Sequence, residues 1–168
     1  MGCELMAKPI GTSDYEPLVA ACAAATSPGP IYDAVGAFCA AHFGYKLLTI
    51  LRYLPASKEI ERVYSTNLDI YPRGGRKPMG DTPWGDVVLK AGKSWLGNGE
   101  ADMRWAYPDA ALSLSMGREA SFCTPVRFAG ATIGLLNISA ERDRYSFDDA
   151  PHLRLASVFL VSALLMEP

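Results

Sequence analysis

Apolar positions along the chain switch between two periods, and the switches mark the elements. From Arg118 to Ala140 the sequence REASFCTPVRFAGATIGLLNISA predicts two strands, Ser121–Phe128 and Thr132–Ser139. They join at Ala129-Gly130-Ala131, where the glycine supplies the positive φ of a hairpin turn. Both strands are so apolar that the pair is expected at the centre of a sheet covered on two sides. Pro125 removes one ladder donor, and Gly134, in mid-strand, implies a close approach to its backbone.

Helical spacing dominates the N-terminal part. Ser13-Asp14 predicts the cap of a helix over Tyr15–Ala25, and Ser27-Pro28-Gly29-Pro30 breaks it and opens a second. In the second helix Ile31, Val35, Phe38 and His42 share a face, and Gly44 ends it. Lys46–Leu54 and Glu59–Thr66 read as strands; strict alternation places Ile60, Arg62, Tyr64 and Thr66 on one face of the latter. Asn67–Pro83, rich in proline and glycine, predicts a long loop, with Tyr71–Pro78 its least anchored part. A short helix follows at Trp84–Ala91, with Thr82 as cap, then a short strand at Ser94–Leu96 and a short helix at Tyr107–Met116. Phe147–Met166 closes the chain as a helix opened by Ser146 and Asp149 in a capping-box arrangement.

Composition narrows the class. With 168 residues, 49% hydrophobic and 20% charged, the chain fits one domain over 14–168 behind a tail of 1–13. A net charge of −2 gives no broad basic face, so no nucleic acid partner is expected. The longest apolar run, Leu155–Met166, contains two serines and is too short to span a bilayer, so no membrane partner is expected. Met1-Gly2-Cys3 lacks the hydroxyl residue of a myristoylation pattern at Met6, and no secretory apolar region is visible, which makes the cytoplasm the default location.

Candidate chemistry is sparse. Cys3, Cys22, Cys39 and Cys123 form no CxxC pair, and Cys39 with His42 is at most half a metal site, so there is no metal or covalent cofactor signature. Gly92-Lys93-Ser94 and Gly97-Asn98-Gly99 imitate phosphate-binding loops without the required spacing. The two histidines, His42 and His152, lie on helices away from any nucleophile, which argues against an enzyme. What remains is an aromatic and cationic loop layer: Tyr71, Trp84, Trp95, Met103, Trp105 and Met116, with Arg62, Tyr64, Arg76 and Lys77 as polar partners for a ligand.

The element order predicts an α+β fold: a mostly antiparallel sheet of five to six strands, long helices on one face and pocket-forming loops on the other. At this point the chain resembles the GAF domain family. FCTPVRFAGATIGLLNIS is similar to the family's hairpin, with Pro125, Val126, Gly130, Gly134 and Asn137 in place. Arg62-x-Tyr64-Ser65, Tyr71-Pro-x-Gly74-Gly75-Arg76-Lys77-Pro78 and Asp81-Thr82-Pro83-Trp84 resemble small single-domain bacterial GAF proteins. The resemblance implies a small-molecule sensor, non-enzymatic by itself, that acts through a downstream signalling protein because 168 residues hold no output domain. It also admits a thiol enzyme of the free methionine sulfoxide reductase type, although no cysteine lies in Trp95–Gly117, or a ligand-free dimerisation module. The cyclic-nucleotide motif of the family is missing. The closing helix is apolar on more than one side, which predicts a homodimer through the terminal helices.

Overall fold

The computed structural model describes residues 9–168; Cys3 and the Met1-Gly2-Cys3 pattern lie outside them, as does most of the expected tail. A six-stranded antiparallel sheet organises the chain, in the order β3-β2-β1-β6-β5-β4. Its strands are β1 Leu47–Leu54, β2 Glu59–Ser65, β3 Arg76–Lys77, β4 Trp95–Asn98, β5 Ala120–Phe128 and β6 Ala131–Ala140. The β5–β6 hairpin turns at Ala129 and Gly130, with φ of 49° and 81°, the pair of positive values that a two-residue hairpin loop demands.

Three helices, α1 Glu16–Ala24, α2 Gly29–His42 and α6 Ala150–Met166, cover one face. Ile31, Val35 and Phe38 of α2 and Leu153, Ala156 and Leu160 of α6 are buried there with Leu48, Ile50, Phe122 and Ile138 of the sheet. The capping box forms: Ser146 Oγ accepts from Asp148 N at 3.2 Å, and Ser146 N donates to Asp149 at 2.8 Å. Phe147–Met166 is, at 20 residues, long and apolar enough by length and composition to cross a membrane. The stretch serves the fold as a core helix, packed on β5 and on α2.

The opposite face carries α3 Pro83–Gly85, a π-helical turn over Asp86–Lys90, α4 Glu100–Ala106 and α5 Ala110–Ser115. Thr82 caps α3 as expected, its Oγ1 accepting from Gly85 N at 3.0 Å. The single helix expected over Tyr107–Met116 begins only at Ala110, because Pro108 sits between α4 and α5 and disfavours a helical residue before it.

One expectation fails for a local reason. In β2, Leu51 pairs with Arg62 but Ile50 pairs with Tyr64, so Val63 is an extra residue in a β-bulge. Alternation restarts there: Arg62 faces the loop layer, whereas Tyr64 turns to the helices, donating to Asp33 at 3.0 Å and lying 5.6 Å from the Tyr32 ring. The Tyr71–Pro78 loop is tied to β2. Gly74 N donates to Arg62 O, Arg62 N donates to Gly75 O, and Arg76-Lys77 pairs with β2 as an edge strand.

Candidate ligand-binding site

Period-two geometry makes one face of the central strands a polar floor. Register places Leu47 beside Ser139 and Ser121, Thr49 beside Asn137 and Cys123, and Leu51 beside Leu135. All of these except Cys123 line a cavity between the sheet and the loop layer. Its walls are Tyr71, Met79, Trp84, Met103 and Tyr107, and its charged groups are Arg62, Arg118, Lys77 and Asp109. The cavity offers about 60 Å³ to the centres of water-sized groups, room for several of them.

The two guanidiniums dominate its electrostatics. Arg118 is 3% exposed and Arg62 8%. Their guanidinium carbons stand over the Tyr71 ring at 4.7 and 5.2 Å, contacts worth roughly 0.5–2 kcal/mol each. Arg62 Nη1 donates to Pro72 O at 2.9 Å, and Arg118 Nη2 donates to the Tyr71 hydroxyl and to Ser113 Oγ at 3.3 Å. Burial pulls the Arg62 pKa down, with Asp109 opposing it. Among the described residues neither arginine forms an ion pair, while Asp109 is held by Lys77 at 2.5 Å. Burying such a charge costs several kcal/mol unless it is compensated.

Several buried polar atoms around the cavity have no protein partner: Arg62 Nε, Arg118 Nε, Ser139 Oγ and Trp84 Nε1. Deeper in the floor the groups are satisfied. The Tyr107 hydroxyl bonds Ser121 Oγ at 3.0 Å and Cys123 Sγ at 2.9 Å, and Ser121 donates to Asn137 Oδ1 at 2.7 Å. Burial pushes the Cys123 thiol up to about 11, although Tyr107 and Ser121 pull against it. The Trp84 indole also lowers that pKa without reaching hydrogen-bond geometry.

Of the residues expected at a site, Arg62, Tyr71, Lys77, Trp84 and Met103 come together here. Five do not. Tyr64 is turned away by the bulge. Arg76 alternates with Lys77 on β3 and faces outward, 3.8 Å from Glu59 and 3.6 Å from Glu61. Trp95 lies on the loop side but behind Tyr107, edge-on at 5.8 Å, and stacks on the half-exposed Trp105 at 5.9 Å. Met116 stands behind Arg118, its sulfur 3.7 Å from Nη2. Sequence reasoning missed Arg118, Asp109, Ser113, Tyr107 and the polar floor. The floor had a signal, since Thr49, Ser121, Asn137 and Ser139 recur at even spacing in otherwise apolar strands.

A larger hollow of about 310 Å³, lined by Leu18, Ala34, Phe38 and His42 among others, lies between α1 and α2. Ser13 and Asp14 also line it, and none of its lining side chains holds a buried polar atom without a partner.

Solved structures share this architecture at low sequence identity. The GAF domain of a phosphoenolpyruvate-protein phosphotransferase from Acinetobacter superposes with a TM-score of 0.73 at 11% identity, covering 91% of each chain. The phycoerythrobilin-bound GAF domain of a cyanobacterial phytochrome matches with a TM-score of 0.70 at 14% identity, over 90% of this chain and 93% of that one. The fold is that of a GAF domain. A free methionine-R-sulfoxide reductase from Neisseria meningitidis, solved in complex with its substrate, is also similar, with a TM-score of 0.67 at 15% identity over 94% and 93% of the two chains. No family model matches the sequence, and no curated protein matches it.

On this GAF fold the described cysteines are dispersed. Cys39, pushed up to about 12 by burial, belongs to the helix-side core, and Cys22 donates to Phe159 O beside α6. Cys123 packs in the loop-side core with Trp84 and Leu135. The sheet therefore separates Cys123 from the other two. Among the described residues no group of three or more metal-ligating side chains converges.

Proposed function

We propose that the chain is a small-molecule-binding sensor module whose ligand occupies the cavity over β1, β5 and β6. The observation that carries this reading is that Arg62, Arg118 and Ser139, which all line one cavity, each hold a buried polar atom without a protein partner. Leaving such a group unsatisfied costs about 1–3 kcal/mol, more when it is charged. A fold retaining three of them on the residues around a space has the makings of a recognition site. Structures of the same fold include a bilin-bound domain and a reductase with its substrate, so small-molecule partners suit the scaffold. The thiol alternative rests on the fold; burial keeps Cys123 protonated near neutral pH, which favours binding over thiol chemistry.

Output is proposed to pass through a homodimer to a signalling partner. The outer side of α6 leaves Leu155, Val158 and Leu165 46%, 61% and 57% exposed, an apolar surface suited to a two-fold contact. Native mass spectrometry of protein purified without added ligand tests the binding reading. A reproducible bound mass, lost on mild denaturation, is expected. Apo protein whose melting temperature responds to no compound in a broad metabolite screen would refute it.

A further inference from the structure

Three cationic groups and one carboxylate line the cavity: Arg62, Arg118 and Lys77 against Asp109. Asp109 is spoken for, since Lys77 Nζ stands 2.5 Å from it. Two positive charges are therefore in excess, and they reside on the two arginines, each more than nine-tenths buried. Loop anchoring accounts for little of this. Arg62 uses Nη1 to hold Pro72 O, and Arg118 uses Nη2 for Tyr71, Ser113 and Met116. The Nε–H of both points at no protein acceptor. A guanidinium offers five donors in a rigid planar fork, the geometry that matches an oxyanion by two parallel hydrogen bonds.

Resting on the ligand-binding reading, we infer that the ligand is a small carboxylate, its oxygens held by Arg62 and Arg118 and its short apolar part facing Leu51, Leu135, Met79 and Trp84. Three observations converge on that class. Charge excess selects an anion over a neutral or cationic molecule of equal shape. Space of about 60 Å³ for the centres of water-sized groups suits a small molecule. Leu51, Leu135, Met79 and Trp84 among the lining residues suit a short alkyl or aryl group better than the fully hydrated surface of an inorganic oxyanion. The Ser139 hydroxyl, also without a partner, supplies one further donor.

Four probes of nearly one size separate the possibilities: propionate, propionamide, propylammonium and inorganic phosphate. Each is titrated at constant ionic strength by ligand-observed NMR and by melting temperature, alongside native mass spectrometry of the purified protein. Saturable propionate binding, at least tenfold tighter than propionamide, is expected. Arg118→Lys should weaken it at least tenfold, whereas Arg104→Gln, at an exposed residue paired with Glu100, should stay within twofold. Should the Arg118 variant fail to fold, Arg62→Lys carries the same expectation. A co-purified carboxylic acid also supports the assignment. Equal binding of propionamide or propylammonium, binding of phosphate alone, or propionate binding indifferent to both arginines would overturn it and leave the binding reading standing. No saturable binding of any probe and no bound mass would overturn both.

Discussion

Cys123 gives the sharpest measurement of what kind of chemistry this fold permits. Its sulfur is fully buried, and its pKa is raised from 9.0 to about 11, chiefly by desolvation. At pH 7.4 the thiolate is then roughly 1 part in 4,000, against about 1 in 14 for a free thiol near pKa 8.5. The greater basicity of the rarer thiolate restores about tenfold of that ratio, so ionisation alone slows alkylation by ~20–30-fold. Enclosure slows it further, because reagent must wait for the loop layer to open. The assay is iodoacetamide labelling at pH 7.4 followed by peptide mass spectrometry, native against urea-unfolded. Native labelling of Cys123 within threefold of the unfolded rate would refute this reasoning and favour the thiol reading.

The same shift has a stability consequence with a definite sign. Below about pH 9 both folded and unfolded thiols are protonated, and the group has no effect. Between about pH 9 and 11 the unfolded thiol ionises while the folded one does not, so stability falls as pH rises. A two-unit gap amounts to roughly 3 kcal/mol. Melting temperature followed from pH 8 to 11 should therefore decline, and Cys123→Ala should flatten part of that slope.

Three further outcomes are expected. Gly134→Ala should cost about 1–3 kcal/mol and lower the melting temperature by several degrees, since a Cβ there would lie 2.4 Å from Leu51 O and 2.7 Å from Leu164 Cδ1; an unchanged melting curve would contradict the packing of α6 on the sheet. Ala129→Asn should stabilise by about 0.5–1 kcal/mol, because Ala129 holds φ at 49° in a turn position that asparagine tolerates better; thermal melting reads it. Sedimentation at tens of micromolar should find dimers that Val158→Glu converts to monomers, and wild-type monomers would show that α6 needs no second copy.

Much of the fold was legible because it rests on local signals. The hairpin glycine, the Thr82 and Ser146 caps and the apolar periods of α2 and α6 each announce themselves over a few residues. Gly134 did as well: Leu51 O of β1 and Leu164 of α6 stand 2.4 and 2.7 Å from where a Cβ would go. The site was less legible, because its charged groups come from segments that meet only in space. Arg118 precedes β5, Asp109 lies between α4 and α5, and Tyr71 sits in the long loop. Trp95 and Trp105 looked like ligand contacts because aromatic density does not reveal which ring stands in front. Tyr64 was misplaced because alternation is inferred from sequence, whereas a bulge is a property of pairing between strands.

That bulge also bears on how chain length can change. Removing one residue from a strand ordinarily turns every later side chain to the wrong layer. Val63 is the residue without a counterpart between the Leu51–Arg62 and Ile50–Tyr64 pairs. Its deletion would leave those pairs adjacent and on opposite faces, with Arg62 still over the cavity and Tyr64 still toward Asp33. What would be lost is one valine side chain from the helix-side core. A scan of single-residue deletions should accordingly find tolerance at 63 inside a strand that tolerates none at 61 or 65.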